Sequence, residues 1–276
     1  MKKLICSVYF LLSVFSTSFA QKVIEQNFKK YYDKHNLKGS FLLYNLKKNE
    51  YTAYDYKRCQ VGFIPASTFK IPNSLIGLDL GIVKDENSMF KWDGTVRTNK
   101  NWNKDMNLAE AMKVSCVPCY QQIARKVGVE KYHQYLTKFG YGKMDVNPQN
   151  LDKFWLGGKS AISQKQQVEF LIKLYKNELP VKKHSADVVK KIILLEDNPT
   201  YKMRGKTGWA IKTSDGINAD WPDGLNRGWF VGWIEKGDNV YFFANNVEAM
   251  NPNDDVFMKE RRGIVEAILK DMKIIE

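Results

Sequence analysis

The chain has 276 residues, 43 Lys and Arg against 30 Asp and Glu, and a net charge of +13. Its basic residues are scattered in pairs such as Lys29-Lys30, Lys182-Lys183, Lys190-Lys191 and Arg261-Arg262 with acids between them. No zinc-finger or phosphate-cradling glycine motif occurs, so the balance argues against a nucleic-acid partner, and three widely separated histidines (His35, His133, His184) disfavour both a structural zinc site and a Ser-His-Asp triad.

Residues 1–20 read as a secretory signal: Lys2-Lys3, the apolar run Leu4 to Phe15, and Ser18-Phe19-Ala20 with small residues for cleavage. No other segment is apolar for long enough to span a bilayer. The expected mature chain is a single domain, 21–276, free of the membrane and periplasmic in a host with two membranes. No cysteine follows Ala20, which excludes lipid attachment there. Once Cys6 leaves with the signal, Cys59, Cys116 and Cys119 are odd in number and define no framework. Cys116 and Cys119 have the spacing of a redox or metal pair; their oxidation state stays open.

Phe41 to Tyr44 and Tyr51 to Tyr54 flank the turn-like Lys47 to Glu50 and predict a hairpin. Ser67-Thr68-Phe69-Lys70 then opens an apolar run, Ile71 to Leu80, with Ser67 and Lys70 one helical turn apart on one face. Two readings are open: a nucleophile with a lysine base, which would serve acyl transfer, or a helix N-cap serine beside a snorkelling lysine. A second such pair, Ser88 and Lys91, follows the polar Lys84 to Asn87 and reads as a solvated turn. Apolar residues at three-and-four spacing predict helices over Leu108–Lys113, Tyr120–Val127, Val129–Phe139, Gln164–Tyr175 and Ala186–Leu195, a block with no strand signal. After Asn198-Pro199, strands are predicted over Tyr201–Gly208, Arg227–Ile234 and Asn239–Ala244, the last two joined by a turn at Glu235–Asp238, and a final helix over Glu260–Met272. Thr213 to Leu225 reads as a loop. The fold class is therefore mixed α/β: an antiparallel sheet assembled from both chain ends (21–66 and 196–276), flanked by helices, with an all-helical subdomain inserted at about 67–195.

Ser-x-x-Lys at 67–70, an isolated serine at Ser115 at the start of a helix, and Lys206-Thr207-Gly208 at the end of a strand form the ordered signature of penicillin-recognising serine enzymes. Adding Pro65-Ala66, Ser115-Cys116-Val117, Phe139-Gly140-Tyr141-Gly142, Phe154-Trp155-Leu156, Trp209 and Gly228-Trp229-Phe230-Val231-Gly232-Trp233, the chain resembles the class D, oxacillinase-type, serine β-lactamases over essentially all of 21–276. The class A pattern fits worse, because Ser115-Cys116-Val117 stands where Ser-Asp-Asn is needed. One departure is Lys143 after Tyr141-Gly142, where the family has Asn.

The resemblance implies hydrolysis of penicillin-type β-lactams, and so antibiotic resistance. Ser67 would be the acylated nucleophile. Lys70, N-carboxylated by CO2 or bicarbonate, would be the general base for both halves of the reaction. Trp155 would hold that carbamate or else be a core aromatic. Ser115 with Lys206 would protonate the leaving nitrogen, and the N–H groups of Ser67 and Trp209 would form the oxyanion hole. Thr207, Gly208 and Arg261 would bind the substrate carboxylate, Arg261 being otherwise a surface helix charge. Val117 would limit water access, and Trp102 would line the entrance or anchor its loop. No separate cofactor and no metal is implied, and the oligomer is monomer or homodimer. The competing readings are a β-lactam sensor domain, a penicillin-binding transpeptidase or carboxypeptidase, and a non-catalytic binding protein.

Overall fold

Alternation of side chains builds a sheet that is buried on both faces. The computed structural model describes residues 21–210 and 225–276; the predicted signal at 1–20 and most of the predicted loop 213–225 lie outside them. Along the hairpin strands β1 (Lys22–Glu25), β2 (Lys38–Asn45) and β3 (Glu50–Tyr54), and along β6 (Leu194–Asp197), β7 (Lys202–Ala210), β8 (Asn226–Lys236) and β9 (Asn239–Ala249), the sheet runs in the order β1-β3-β2-β9-β8-β7-β6. Trp229, Val231 and Trp233 of β8, Phe242 and Ala244 of β9, and Leu42 and Tyr44 of β2 enter the main core. The residues between them, Phe230, Ile234, Phe243, Phe41 and Leu43, enter a second core on the opposite face, as a period of two requires.

The second core is closed by α1 (Lys29–Asp33) and α9 (Asp254–Asp271), which bring Phe28, Tyr32, Phe257, Ile264, Val265 and Ile268. The main core is covered by the inserted segment, carrying α3 (Lys70–Asp79), α4 (Leu108–Lys113), α5 (Val117–Val127), α6 (Val129–Phe139), α7 (Gln164–Lys176) and α8 (Lys183–Ile192); the short α2 (Tyr56–Cys59) precedes it. Gln164 stitches this segment to the sheet: its Nε2 donates to the carbonyls of Ser40 (2.8 Å) and Ala244 (2.7 Å). That satisfies backbone acceptors which burial would otherwise leave unpaired.

Four expectations need correction. The sheet is not antiparallel throughout, because β1 runs parallel to β3; β1 is short and almost fully exposed, so no apolar alternation announced it. The inserted segment is not purely helical, since β4 (Met89–Phe90) and β5 (Met106–Asn107) pair within it. Leu194 and Leu195 do not extend α8 but form β6, the sheet edge beside β7. Finally, β8 continues through Glu235 and Lys236, leaving Gly237 and Asp238 as the turn, where Gly237 adopts a positive φ of 57° that costs glycine little.

Candidate active site

Ser67 lies in a short 3-10 turn, Ala66–Phe69, that leads directly into α3. The residue before it, Ala66, is left-handed at φ 50°, a conformation costing an L-residue about 1–2 kcal/mol. The turn is held from three directions. Thr68 donates through N–H and Oγ1 to the Pro65 carbonyl (3.2 and 2.7 Å). Gln167 Nε2 of α7 donates to Thr68 Oγ1 (2.8 Å), and Trp229 Nε1 of β8 donates to the Ile64 carbonyl (2.7 Å).

Lys70 is fully buried, and its Nζ lies 2.9 Å from Ser67 Oγ. The snorkelling alternative is thereby excluded, and Ser67 caps no helix. Nζ also sits 5.2 Å from the centre of the Tyr120 ring, and no carboxylate pairs with it among the described residues. Burial, and then the charge of Lys206, push its pKa well below the ordinary lysine value, because a cation without hydration or a counter-ion is disfavoured. Trp155 stacks on Phe69 (centroids 5.4 Å apart, planes at 17°) with no exposure, and its Nε1 is buried without a hydrogen-bond partner among the described residues. An indole N–H can only donate, so this orphan asks for an acceptor.

The third strand of the signature closes against the turn. Gly208 lies within β7, two residues short of its end, and a Cβ there would sit 3.1 Å from the Pro65 carbonyl and 3.3 Å from Ser67 N. Glycine permits that approach. Lys206 is buried, and its Nζ donates to the Thr207 carbonyl (3.1 Å); burial first, then Arg261, lower its pKa to about 7. Arg261 is no surface charge, being only 6% exposed. Its Nη1 donates to Gly208 O (2.6 Å), its Nε and Nη2 to Met258 O, and its plane covers Trp209 at 5.4 Å, which leaves one hydrogen on each terminal nitrogen. Gly228 makes room for it: a Cβ there would meet Arg261 Cγ at 2.6 Å. The neighbouring Arg262 is instead taken by Glu196 and Glu266. Trp209 packs on Phe257 and donates from Nε1 to Asn226 Oδ1.

Ser115 precedes α5 rather than opening it, and is left-handed at φ 57° between α4 and α5. Cys116 and Cys119 form a disulfide, and Val117 is half-buried in the first turn of α5. Trp102 donates from Nε1 to the Val114 carbonyl (3.1 Å), so it anchors its loop beside Ser115. Ser88 accepts from the N–H groups of Lys84 and Asp85, the turn its sequence suggested. Lys143 is bridged to Ala161 and takes no part in this cluster.

The model of the penicillin-binding protein transpeptidase domain matches residues 22–272. β-Lactamase OXA-48 of Klebsiella pneumoniae is 41% identical over 271 residues, 98% of this chain and 97% of that one. The class D β-lactamase FUS-1 (OXA-85) of Fusobacterium nucleatum subsp. polymorphum superposes with a TM-score of 0.81 at 38% identity, covering 90% of this chain and 98% of the other. That of Sebaldella termitidis superposes with a TM-score of 0.83 at 34% identity, covering 93% of this chain and 100% of its own.

The chain belongs to the class D β-lactamases. Hydrolysis of the β-lactam ring is its activity, with antibiotic resistance as the consequence. Sequence reasoning about this class D enzyme overlooked Tyr120 and Gln167. Tyr120 follows Val117 by three residues, on the same face of α5, and that spacing was the available signal. Gln167 carried none, because its partner Thr68 lies 99 residues away.

Proposed function

We propose that this enzyme turns over β-lactams through an acyl-Ser67 intermediate, with N-carboxylated Lys70 as the base in both halves. The reading is carried by a fully buried amine 2.9 Å from Ser67 Oγ, its pKa pushed well down, and is supported by the indole N–H of Trp155, buried without a partner among the described residues. Only an unprotonated amine attacks CO2, and burial supplies one; a carbamate's oxygens would satisfy the orphan N–H. When carboxylated, Lys70 supplies an anionic base instead of an amine, able to take and return a proton near neutrality.

Ser67 Oγ loses its proton toward Lys70 and attacks the lactam carbonyl. The oxyanion that forms is received by the backbone N–H groups of Ser67 and Trp209, each such donor contributing about 3 kcal/mol. As the C–N bond breaks, Ser115 passes a proton to the departing nitrogen and draws a replacement from Lys206, whose pKa of about 7 suits a donor that must reload. Thr207, Gly208 and the hydrogens of Arg261 left over among the described residues hold the substrate carboxylate, with Lys206 beside them. Water then enters past Val117, gives a proton toward Lys70 and adds to the acyl carbonyl; the carbon–Oγ bond breaks and Ser67 Oγ takes the proton back.

Residues 1–20 are removed on export, and 21–276 work in the periplasm as monomer or homodimer. Among the described residues no helix is long and apolar enough to cross a membrane. The sensor and transpeptidase readings predict an adduct that persists; here hydrolysis follows.

The test is carbon-13 NMR of the enzyme equilibrated with labelled bicarbonate. A carbamate resonance is expected, absent in Lys70→Ala and much weakened in Trp155→Phe, which keeps the ring and loses the N–H. Full carboxylation of Trp155→Phe would return Trp155 to the role of core aromatic, and no carbamate in the wild type would end the reading.

A further inference from the structure

Ser115 stands between two restraints. On its N-terminal side the backbone is strapped to α4: Val114, Ser115 and Cys116 N–H donate to the carbonyls of Glu110 (2.9 Å), Met112 (3.3 Å) and Ala111 (2.9 Å). On its C-terminal side the next residue, Cys116, is the N-cap of α5; its sulfur accepts the N–H of Cys119 (3.2 Å) and is covalently joined to Cys119. A non-glycine residue stays left-handed only when its surroundings over-determine it. Ordinary caps act through one hydrogen bond; this one is closed by a covalent bond across the same turn.

We propose that the Cys116–Cys119 disulfide is a positioning element of the active site, fixing the first turn of α5 so that Ser115 is held ready to protonate the leaving nitrogen. This rests on the role given to Ser115 above. Two alternatives fit less well. A stabilising cross-link gains from closing a long loop, whereas this bond spans three residues and removes little entropy from the unfolded chain. A disulfide that exchanges electrons with a protein partner needs one sulfur open to that partner, whereas Cys116 and Cys119 are 1% and 5% exposed, within reach of a small thiol only. What remains is local. The same turn carries Val117 and, one turn further, Tyr120, whose ring faces the Lys70 amine. Reduction replaces the S–S bond by two thiols, taking two electrons and two protons from a dithiol such as dithiothreitol, which closes to its own disulfide.

The full chain is compared in three forms: with the disulfide intact, reduced with dithiothreitol and checked by alkylation and mass, and as Cys119→Ala. Rapid-quench mass spectrometry with benzylpenicillin separates acylation from deacylation. Acylation is expected to slow about tenfold in the reduced and substituted forms, the scale of a misplaced catalytic group, with deacylation changed less than about twofold and the melting temperature within a few degrees. Reoxidation restores the rate. In Ser115→Ala, already slow, reduction should change nothing further. Acylation at the oxidised rate in the reduced chain and in Cys119→Ala would overturn the proposal. So would equal redox sensitivity in Ser115→Ala, or unfolding of both altered forms. Wild-type acylation by Ser115→Ala would instead remove the role assigned to Ser115, and the proposal with it, an outcome visible without any change of redox state.

Discussion

The helical side and the sheet side of the site each bury a lysine, and they leave it in different states. On the helical side Lys70 has no exposure and, among the described residues, no acid partner, only the Ser67 hydroxyl and the face of Tyr120, and its pKa falls well below the lysine range. On the sheet side Lys206 keeps 6% exposure and a carbonyl partner, and its pKa comes to rest at about 7. Burial comes first for both; after it, Lys70 feels the charge of Lys206 and Lys206 that of Arg261. The surface lysines differ from both: Lys29, Lys91 and Lys183, for example, are exposed and paired with Asp33, Asp105 and Asp187.

Removing each lysine tests that division most severely. Lys70→Ala should lower hydrolysis by about 10³-fold, within the range for losing a general base, and trap the penicillin adduct for detection by mass spectrometry. Lys206→Ala should slow formation of the adduct and let none accumulate. Identical kinetics from the two variants would dissolve the distinction.

A smaller effect is expected at the seam between the two sides. Gly208→Ala places a methyl group 3.1 Å from the Pro65 carbonyl and 3.3 Å from Ser67 N. The turn must give by a few tenths of an ångström, which should cost about tenfold in kcat with KM little changed. Unaltered kcat would mean that the turn tolerates displacement.

The mildest test is the pH dependence of stability. Lys206 titrates at about 7 in the fold against an ordinary value of 10.5, so between these values the unfolded chain binds more protons and stability rises with pH. Below pH 7 both states carry that proton and the contribution of Lys206 vanishes; Lys70, also lowered by burial, acts in the same sense. Urea denaturation should show a gain of about 1 kcal/mol per pH unit between pH 7 and 9 from Lys206, a share that Lys206→Met should lose. A flat profile in the wild type would show that Lys206 stays charged when buried.

The catalytic framework was readable where local spacing carries the message. Ser67 and Lys70 share a helix face by arithmetic, and the aromatic and β-branched run Trp229-Phe230-Val231 predicted a strand. What stayed hidden depends on tertiary partners. The polar Lys22–Glu25 becomes a strand because β3 offers it an edge, and Leu194-Leu195 leaves the helix because β7 does the same. Left-handed Ala66 and Ser115 carry no sequence mark, since neither is the glycine or asparagine that usually flags such a bend. Spacing made a disulfide between Cys116 and Cys119 conceivable, and only the geometry of the α5 N-terminus decides it.

Strand β2 pairs with β9 from Lys38 against Glu248 to Asn45 against Tyr241, and the turn bearing the nucleophile leans on Gly208 and Trp229. Every support of Ser67 on the sheet side is therefore made by the last third of the polypeptide. A nascent chain that has emerged only as far as its helices holds a serine with no reactivity. Competence arrives at the end of synthesis, so truncation near the C-terminus should silence the enzyme without touching a single reacting atom.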